Sequence, residues 1–433
     1  MVSVARTTVG DYFTLQRGTT YKSNLLGKPG PVLLGLASIQ RNGGFRRDSL
    51  QTYGGESPDK LIVQPGELYL SLKDVTQSAD LLGAVARLPL DHPPGRLTQD
   101  TVKLEPRAPD LPLDYLYWLL RTPQYRDYCR QHATGTTNLG LSRDDFLSFP
   151  APEPTLIQQG IVRALQALDD KIELSRRMNE SLEAIARALF KSWFIDFDPV
   201  RDKAAGRDPN LPKILANLFP SRLVDSELGE IPEGWEVRGL DQIARFLNGL
   251  ALQKYPPTDA ARSLPVIKIA QLRSGRTDGA DRASADIEPD YIIADGDILF
   301  SWSGSLECVL WGGGPGALNQ HLFKVTSSEY PRWLCYFGVH HHLHDFRQIA
   351  AAKATTMGHI QRYHLSDANL AVPRSPMPSA IDQFMSPLFE SLWRRDVESR
   401  TLAALRDTLL PKLISGELRI NDSERFIGAE FNG

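Results

Sequence analysis

A run of histidines, HHHLH from His340 to His344, is the densest group of potential metal ligands in the sequence. Neutral imidazoles bind zinc and other transition metals, so such a run could form part of a metal site. The corresponding segment of an internal repeat, described below, reads TPQYR and carries no ligand. We therefore expect surface histidines, and no metal site is predicted.

Thiols and paired carboxylates are the other groups that could do chemistry. Cys129, Cys308 and Cys335 lack a CxxC pair, which predicts small buried side chains in a reducing compartment and no zinc or disulfide framework. Asp196 and Asp198 stand where a helix is expected to end, and carboxylates at such positions commonly stabilise turns. No catalytic residue is predicted on this chain.

Length and charge narrow the class of protein. With 433 residues and 42% hydrophobic content, the chain is long enough for two or three domains with separate cores. The start MVSVARTTVGDYF lacks the regions of a signal peptide and no apolar run is long enough to span a membrane, so a cytoplasmic protein is expected. The formal net charge is −3, so any DNA binding would need partners to contact many of the phosphates.

Two motifs of methyl transfer are missing. A methyltransferase acting alone needs a glycine-rich loop for its methyl donor and an Asn or Asp followed by Pro-Pro-aromatic to hold a flipped adenine. DHPPG from Asp91 and YPPT from Tyr255 do not match the second motif, and GGGP from Gly312 lacks the GxGxxG spacing. A stand-alone methyltransferase is therefore not predicted.

The chain repeats itself once, at an offset of about 220 to 234 residues. PVLLGLASIQRNGG from Pro31 resembles PVIKIAQLRSGR from Pro265, and PDKLIVQPGELYLS from Pro58 resembles PDYIIADGDILFS from Pro289. TGTTNLGLSRDDFLSFPAP from Thr134 likewise resembles KATTMGHIQRYHLSDANLAVP. Each half is predicted to be a mixed α and β module followed by a long helix.

Hydrophobic patterns place the elements within each module. LIVQ, ELYLSL, IIAD and DILFSW are short runs bounded by Pro, Gly and Asp, and predict strands. YLYWLLRTPQYRDYCRQHA in the first half and WLCYFGVHHHLHDFRQIAA in the second each predict one helix.

The long helices carry a coiled-coil pattern. Apolar residues recur at alternating steps of four and three from Ile161 to Trp193, a length of about 50 Å as helix. A shift of about 220 residues finds a matching stripe in the second half. Antiparallel packing would pair Ser175 with Ser399 and Asn179 with Arg395, although two unrelated amphipathic helices are the alternative.

Several of these segments resemble one family. FKSWFIDFDPVRDKAAGR from Phe190, LFPSRLVDSELGEIPEGWEV from Leu218, the repeated GELYLS and GDILFS, and PTLIQQGIV resemble the specificity subunit of type I restriction-modification systems. The resemblance covers nearly the whole chain. It departs from the family in the second helix, where PMPSAIDQF replaces an acidic start and Pro387 and Pro411 predict a bend or a shortened helix.

The resemblance implies a fold and a set of partners. The fold class is α+β, with two pseudo-repeated mixed α/β target-recognition domains separated by two long antiparallel helices that form a coiled-coil spacer. The chain would read a bipartite, asymmetric target in double-stranded DNA. It would bind modification (adenine methyltransferase) subunits, two per chain, and restriction (helicase-nuclease) subunits. S-adenosylmethionine, ATP and Mg are then expected on those partners, with no cofactor on this chain and no membrane contact.

The domain boundaries follow from the repeat and the resemblance. They are target-recognition domain 1 (1–153), spacer helix 1 (154–199), a connector (200–232), target-recognition domain 2 (233–375), spacer helix 2 (376–420) and a C-terminal tail (421–433).

Two corresponding loops, TGTTNLG and KATTMGH, are candidate DNA contacts. Small hydroxyl side chains and glycine allow close approach to a phosphate backbone, and the neighbouring polar residues could reach phosphates or bases. A tight turn with no ligand is the alternative interpretation. The candidate residues are Thr136, Thr137, Asn138, Thr355, Thr356, His359, Gln361 and Arg362.

Two polar loops are candidate specificity determinants, because arginine binds guanine through two hydrogen bonds. A solvated basic loop explains the same composition equally well. The residues are Arg41, Asn42, Arg46 and Arg47 in the first half, and Gln271, Arg273 and Arg276 in the second.

Large aromatic side chains mark the end of the first long helix. Trp193, Phe194 and Phe197 are candidates for a subunit interface, since aromatic residues bury a large area with few rotamers to fix. Domain core beneath the connector is an equal alternative. For the whole chain, the alternative function is a non-catalytic coiled-coil interaction scaffold whose modules bind protein or carbohydrate.

Overall fold

The computed structural model describes residues 7–47, 50–136, 138–352, 358–374 and 377–414. The chain forms two compact units. The first unit comprises the described parts of Met1–Asp169 and Ala404–Gly433, and the second unit comprises those of Asp170–Ala403. The second unit is thus inserted, in the sequence, between the two segments of the first.

Helices occur in both units, and the two longest pass from one into the other. The helices are α1 (Val9–Tyr12), α2 (Leu113–Leu119), α3 (Pro123–Gln131), α4 (Arg143–Leu147), α5 (Leu156–Phe194), α6 (Asp198–Ala204), α7 (Lys213–Ala216), α8 (Leu240–Ile243), α9 (Ile269–Ser274), α10 (Arg332–Ala352), α11 (Tyr363–Asp367) and α12 (Ser379–Ile414).

The strands are short. Those of the first unit are β1 (Phe13–Arg17), β2 (Val32–Leu34), β3 (Ile62–Val63), β4 (Leu68–Ser71), β5 (Lys73–Asp74), β6 (Val85–Arg87), β7 (Gly95–Leu97), β8 (Thr101–Pro106) and β9 (Leu139–Gly140). Those of the second unit are β10 (Leu223–Ser226), β11 (Gly229–Pro232), β12 (Trp235–Gly239), β13 (Arg245–Asn248), β14 (Ser263–Ile267), β15 (Arg282–Ser284), β16 (Ile292–Ile293), β17 (Ile298–Ser301), β18 (Cys308–Leu310), β19 (Gly316–Leu318), β20 (Leu322–Thr326) and β21 (Asn369–Pro373).

The core of the first unit lies between two sheets. One has the order β1-β8-β4-β6 with antiparallel neighbours, and the other has the order β2-β7-β3, in which β2 and β7 are parallel. The run LYLS of β4 is buried at all four positions, as expected for a central strand. Leu34, Val63, Tyr69 and Leu97, from both sheets, share one apolar cluster.

The second unit has a sheet of order β13-β20-β17-β18 and another of order β15-β14-β19-β16, in which β14 and β19 are parallel. Its first sheet uses strands in the same chain order as β1-β8-β4-β6 of the first unit. The pairs β10-β11 and β12-β21 are additional. Mixed α/β structure with two long helices, the coarser part of the expected fold, is therefore present.

A glycine in each unit allows one close backbone crossing. A Cβ on Gly18 would lie 2.0 Å from the carbonyl oxygen of Thr98, and one on Gly249 would lie 2.2 Å from that of Asn319. Both distances are shorter than any tolerable contact, so only glycine fits. The crossing places the residues after β1 and β13 next to the residues before β8 and β20.

The predicted helix YLYWLLRTPQYRDYCRQHA is two helices in the structure, so this prediction was wrong. Pro123 lacks a backbone N–H, and the residue before a proline is disfavoured in helical conformation. Thr122 is extended instead, and its hydroxyl caps α3 by accepting from the Tyr125 N–H at 3.3 Å. The counterpart in the second half is one helix, α10, as predicted.

Helices α5 and α12 contact each other in antiparallel directions within the second unit. Lys171 pairs with Glu398 at 2.9 Å, and the Asn179 amide donates to Asp396 Oδ1 and to the Leu392 carbonyl oxygen, both at 2.7 Å. Residue numbers therefore rise along one helix as they fall along the other.

The expected pairing of Asn179 with Arg395 was wrong. Arg395 instead contacts the Met178 sulfur at 3.6 Å, because adjacent residues on a helix point about 100° apart and the pattern is off by one residue. Ser175 is buried, but its pairing with Ser399 stays a prediction. We expected Pro387 or Pro411 to bend or shorten the second helix; α12 is not shortened, since it continues through both.

A partly buried carboxylate ties α5 to α12 within the first unit. Asp169 accepts from Arg121 Nη1 at 3.2 Å and from Arg406 Nη1, so one anion serves two cations. The arginine side chains are only 6% and 11% exposed. The Tyr117 hydroxyl also accepts from Arg121, at 2.9 Å.

We expect the Asp169→Asn variant to lose about 3 kcal/mol of unfolding free energy, because buried Arg121 would lose this counter-charge and buried Arg406 would keep only its pair with Asp407. Urea unfolding of the whole chain measures the effect. Asp170→Asn, at the exposed neighbouring position, is the control and should change the unfolding free energy by less than about 0.5 kcal/mol. Equal midpoints for the two variants would contradict the assignment.

Candidate nucleic-acid interface

In the first unit, the predicted loop TGTTNLG is held against the chain that follows β4. Strand β9 pairs with β5, and the Leu141 N–H donates to the Leu72 carbonyl oxygen at 2.9 Å. Two backbone hydrogen bonds between Thr134 and Gly140, of 2.9 and 2.8 Å, close the loop. Thr136 and Asn138 are exposed at its tip, and Thr137 lies outside the described residues.

The second unit repeats this arrangement. The Ile360 N–H donates to the Trp302 carbonyl oxygen at 3.0 Å, and the Gly304 N–H donates to the Gly358 carbonyl oxygen at 2.9 Å. His359 and Ser303 form a backbone bridge between these bonds. Thr355 and Thr356, predicted as phosphate contacts, lie outside the described residues.

An ion pair lies beside the loop of the first unit. Lys73 Nζ is 3.0 Å from Asp100 Oδ1, and the side chains are 48% and 27% exposed. Lys73 belongs to β5, which pairs with the loop, and Asp100 directly precedes β8. The pair therefore presents one donor and one acceptor to solvent from two neighbouring strand ends.

After Lys73 the chain forms a turn over residues 74–82, called the rigid turn below. The buried Asp74 carboxylate accepts from the backbone N–H of Thr76 at 2.8 Å and of Leu81 at 2.7 Å. Buried Arg126 donates to three carbonyl oxygens of the same turn. The exposed residues of this turn are thus held by two charged side chains from beneath.

At the corresponding place, the second unit has an aromatic and amide cluster. Ser303 Oγ lies 3.0 Å from His321 Nδ1. The Trp302 indole N–H donates to Asn248 Oδ1 at 2.9 Å and to the Gln320 carbonyl oxygen at 3.2 Å. The Trp302 ring is 5.9 Å from the His321 ring. These groups are neutral amides, a hydroxyl and aromatic rings, in contrast to the ion pair of the first unit.

A cavity of about 350 Å³ opens next to this cluster. Gln253, Lys268, Asn319, Gln320 and His321 contribute to its lining. Amide, imidazole and ammonium groups are the hydrogen-bonding types that read base edges, so the cavity has suitable chemistry for a nucleic-acid contact.

The predicted basic loop of the first half divides in two. Arg41 lies 3.8 Å from Asp80, and the Asn42 N–H donates to the Asp80 carbonyl oxygen at 2.8 Å, which places both at the rigid turn. Arg47 instead pairs with Asp91 at 2.6 Å. Arg46 is exposed.

The predicted residues of the second half are also spread out. Gln271 Oε1 accepts from the Lys268 N–H at 3.2 Å and so caps α9, a structural role. Arg273 and Arg276 are exposed on and after that helix. Arg362 lies elsewhere, at a groove of about 780 Å³ that Arg245 also lines.

Of the remaining two candidates, His359 joins the tryptophan cluster, with its ring 6.3 Å from that of Trp302. Gln361 is exposed, and its backbone N–H donates to His364 Nδ1 at 2.9 Å.

Sequence reasoning missed the residues that the strand ends bring beside the loops. LTQD, which ends at Asp100, aligns with LNQH, which ends at His321, and SLKD aligns with SWSG. The sequence repeat already contains these alignments. That these residues lie close to the loops depends on strand pairing, which the repeat does not show. Lys73 and Trp302 belong to this missed set.

The aromatic end of α5 is domain core, the alternative that the sequence left equally open. Trp193, Phe194 and Phe197 are 2%, 1% and 7% exposed and belong to the apolar cluster of the second unit. Trp235 packs against both phenylalanines. The aromatic side chains thus join α5 to the connector and the strand after it.

Both carboxylates at this helix end stabilise local structure, as expected. Asp196 accepts from Lys191, and Asp198 accepts from the Ser192 hydroxyl at 2.7 Å. The three cysteines are buried, as predicted. Among the described residues, no group of three or more metal-binding side chains could hold a metal ion.

The expectation of surface histidines was only partly correct. His341 and His344 are exposed, whereas His340 and His342 are half-buried. His340 Nδ1 lies 2.9 Å from Arg187 Nη2, and His342 Nε2 lies 3.1 Å from the Asn369 carbonyl oxygen. Burial lowers the pKa of His340 to about 3 and that of His342 to about 4.

Comparison with known proteins shows a similarity to one class of protein. The chain is 28% identical over 323 residues to the type I restriction enzyme MjaIX specificity subunit of Methanocaldococcus jannaschii, covering 71% of this chain and 70% of that protein. It is 24% identical over 365 residues to the type I restriction enzyme HindI specificity subunit of Haemophilus influenzae, covering 73% and 79%. No protein-family model matches the sequence.

A solved structure shares the fold. The crystal structure of the S subunit of the type I restriction-modification system from M. genitalium aligns with a TM-score of 0.51 and 14% identity, covering 95% of this chain and 97% of that one. The predicted resemblance to type I specificity subunits is confirmed by these relatives. Both sequence relatives are named as specificity subunits of type I restriction enzymes. No described helix is long and apolar enough to cross a bilayer.

The lowered pKa values predict a pH dependence of stability. Unfolded histidine has a pKa of about 6.5. As the pH falls from about 6.5 to 4, the unfolded chain binds protons that folded His342 does not, so stability decreases by up to about 1.4 kcal/mol per pH unit. Urea unfolding should show a shallower pH slope for His342→Gln than for the wild type.

His344→Gln, which changes an exposed residue of the same helix, is the control and should keep the wild-type slope. The same slope in all three proteins would show that the folded state accommodates a proton at His342.

Proposed function

We propose that this chain is the DNA-sequence specificity subunit of a type I restriction-modification complex. The similarity to the MjaIX specificity subunit over 71% of the chain is the observation that carries the proposal. In this role the chain selects the DNA sequence, and partner subunits perform methylation and cleavage.

Two target-recognition domains, 1–153 and 233–375, would each read one half of a bipartite, asymmetric target. Matching strand orders in the two units support an internal duplication. Both units also place a polar loop beside the same two strand ends, but with different side chains, such as Lys73 in one and Trp302 in the other. Similar folds with different surface chemistry suit two different half-sites.

The spacer would be a coiled coil of segments 154–199 and 376–420, with 200–232 as the connector and 421–433 as a tail. The antiparallel contacts of Asn179 and Lys171 with α12 support this arrangement in the second unit. A polar layer such as Asn179 and Asp396 fixes the register of a helix pair.

Partner subunits complete the proposal. With a formal net charge of −3, the chain has no general attraction for DNA phosphates. Modification (methyltransferase) subunits, two per chain, would supply that attraction and the methylation chemistry, and restriction subunits would add cleavage. The cytoplasmic location expected from the sequence stays part of the proposal.

The test is to co-express the chain with a candidate adenine methyltransferase subunit and to map methylated bases across the host genome. Methylation at a single bipartite sequence is expected, and it should disappear when the chain is omitted. Methylation that does not depend on the chain would contradict the proposal. A stable complex that methylates without sequence preference would instead favour the interaction scaffold.

A further inference from the structure

We propose that Lys73 and Asp100 together read one G·C base pair in the half-site of the first unit, and that His321, with Ser303 buried beside it, occupies the position equivalent to Asp100 in the second unit. This inference rests on the proposed function. It identifies the base-discriminating positions, which neither the relatives nor the sequence repeat assigns.

The two pairs occupy equivalent places in their units. The Leu141–Leu72 and Ile360–Trp302 backbone bonds fix the same strand register beside each loop. Lys73 and Ser303 each directly follow the residue whose carbonyl oxygen accepts that bond.

The second member of each pair also occupies a matching place. Asp100 directly precedes β8, and His321 directly precedes β20, the strands that pair with β4 and β17. Each position is set by the same kind of close crossing, at Gly18 in one unit and Gly249 in the other.

A fully buried serine supports the backbone near these positions in each unit, although its acceptor differs between the units. Ser71 is fully buried and its hydroxyl donates to the Lys73 carbonyl oxygen at 2.6 Å. Ser301 is also fully buried and donates to the Ser305 carbonyl oxygen at 2.6 Å. In the first unit this supported backbone carries the partly exposed Lys73 and Asp100 side chains, which can differ from their counterparts without a change in the sheet.

The geometry of the first pair matches a G·C pair. In the major groove, guanine O6 accepts and cytosine N4 donates, and these two atoms lie about 2.9 Å apart because they hydrogen-bond each other. Lys73 Nζ and Asp100 Oδ1, a donor and an acceptor, lie 3.0 Å apart. The ammonium has three N–H donors and the carboxylate has four lone pairs, so each can keep the ion pair and still bind its base.

An A·T pair would fit this ion pair poorly. At the same positions it presents an amino donor on adenine and a carbonyl acceptor on thymine, so only the reversed orientation of the bases could satisfy both groups, and lysine prefers guanine, where O6 and N7 both accept. In the second unit, Ser303 and His321 carry no such charged pair. The two half-sites are therefore expected to differ at this position.

The experiment transfers the pair of the second unit into the first. The double variant Lys73→Ser with Asp100→His is assembled with the modification subunits, and methylated sites are mapped genome-wide. We expect methylation at wild-type sites to fall by roughly tenfold or more, with relaxed or altered preference at one G·C position of one half-site. The other half-site and the gap between the halves should be unchanged.

The matched control changes the same residue types elsewhere on the first unit. Asp59→His with Lys60→Ser alters two exposed residues that do not belong to the Lys73–Asp100 pair, and it should keep the wild-type methylation pattern. Because an exposed ion pair contributes little to stability, the double variant should also assemble normally. If it does not, the same methylation mapping is carried out with Lys73→Gln alone, which removes one charge from a half-exposed side chain and tests the same contact.

The outcomes separate the two proposals. No sequence-specific methylation by the wild-type complex would remove the proposed function. Specific methylation by the wild type that is unchanged in sequence and rate in the Lys73 variants, or a first half-site without a G·C pair, would overturn this inference and leave the function standing. A change confined to the half-site of the second unit would overturn it as well.

Discussion

One backbone interaction in each unit determines where its polar surface forms. The carbonyl oxygen of the residue that follows β4 or β17, Leu72 or Trp302, accepts the backbone N–H of Leu141 or Ile360, the residue that directly follows the loop. Without this bond, the loop and the strand ends would be separate surface features. Because of it, Lys73 or Ser303 is brought beside the loop in a defined register, and Asp100 or His321 lies at the start of the neighbouring strand.

Buried polar residues maintain this strand register, and exposed residues supply the side-chain groups that a ligand could contact. Three fully buried residues form hydrogen bonds with nearby backbone groups: Ser71, Asp74 and Ser301. Substitutions at these positions would leave buried backbone groups without a partner and so disturb the strand register. The side chains at exposed positions do not have to form hydrogen bonds with buried backbone groups. Exposed side chains can therefore differ between the two units while the sheet beneath them stays intact.

Much of the fold was predictable from the sequence because it depends on local patterns or on the repeat. The strand runs, the long helices and the burial of the cysteines belong to this group. The break at Thr122 was missed because the hydrophobic pattern continues across Pro123. The partner of Asn179 was missed by one residue, since a sequence offset does not fix the rotation of two helices about their axes.

The site was less predictable for a related reason. The loops with Thr136 and His359 were visible as repeated motifs, whereas Lys73 and Asp100 are separated by 27 residues and meet only through strand pairing. Trp193, Phe194 and Phe197 show a different difficulty. Composition predicts that large aromatic side chains are buried, but not whether their own chain or a partner buries them.

The order of the two units along the chain has a consequence for biosynthesis. Asp169 is held by Arg121, which is made early, and by Arg406, which leaves the ribosome only after the whole second unit. Domains generally fold as they emerge. The nascent first unit therefore lacks the Asp169–Arg406 contact until translation is almost finished, and a chain that ends before Arg406 would lack it permanently.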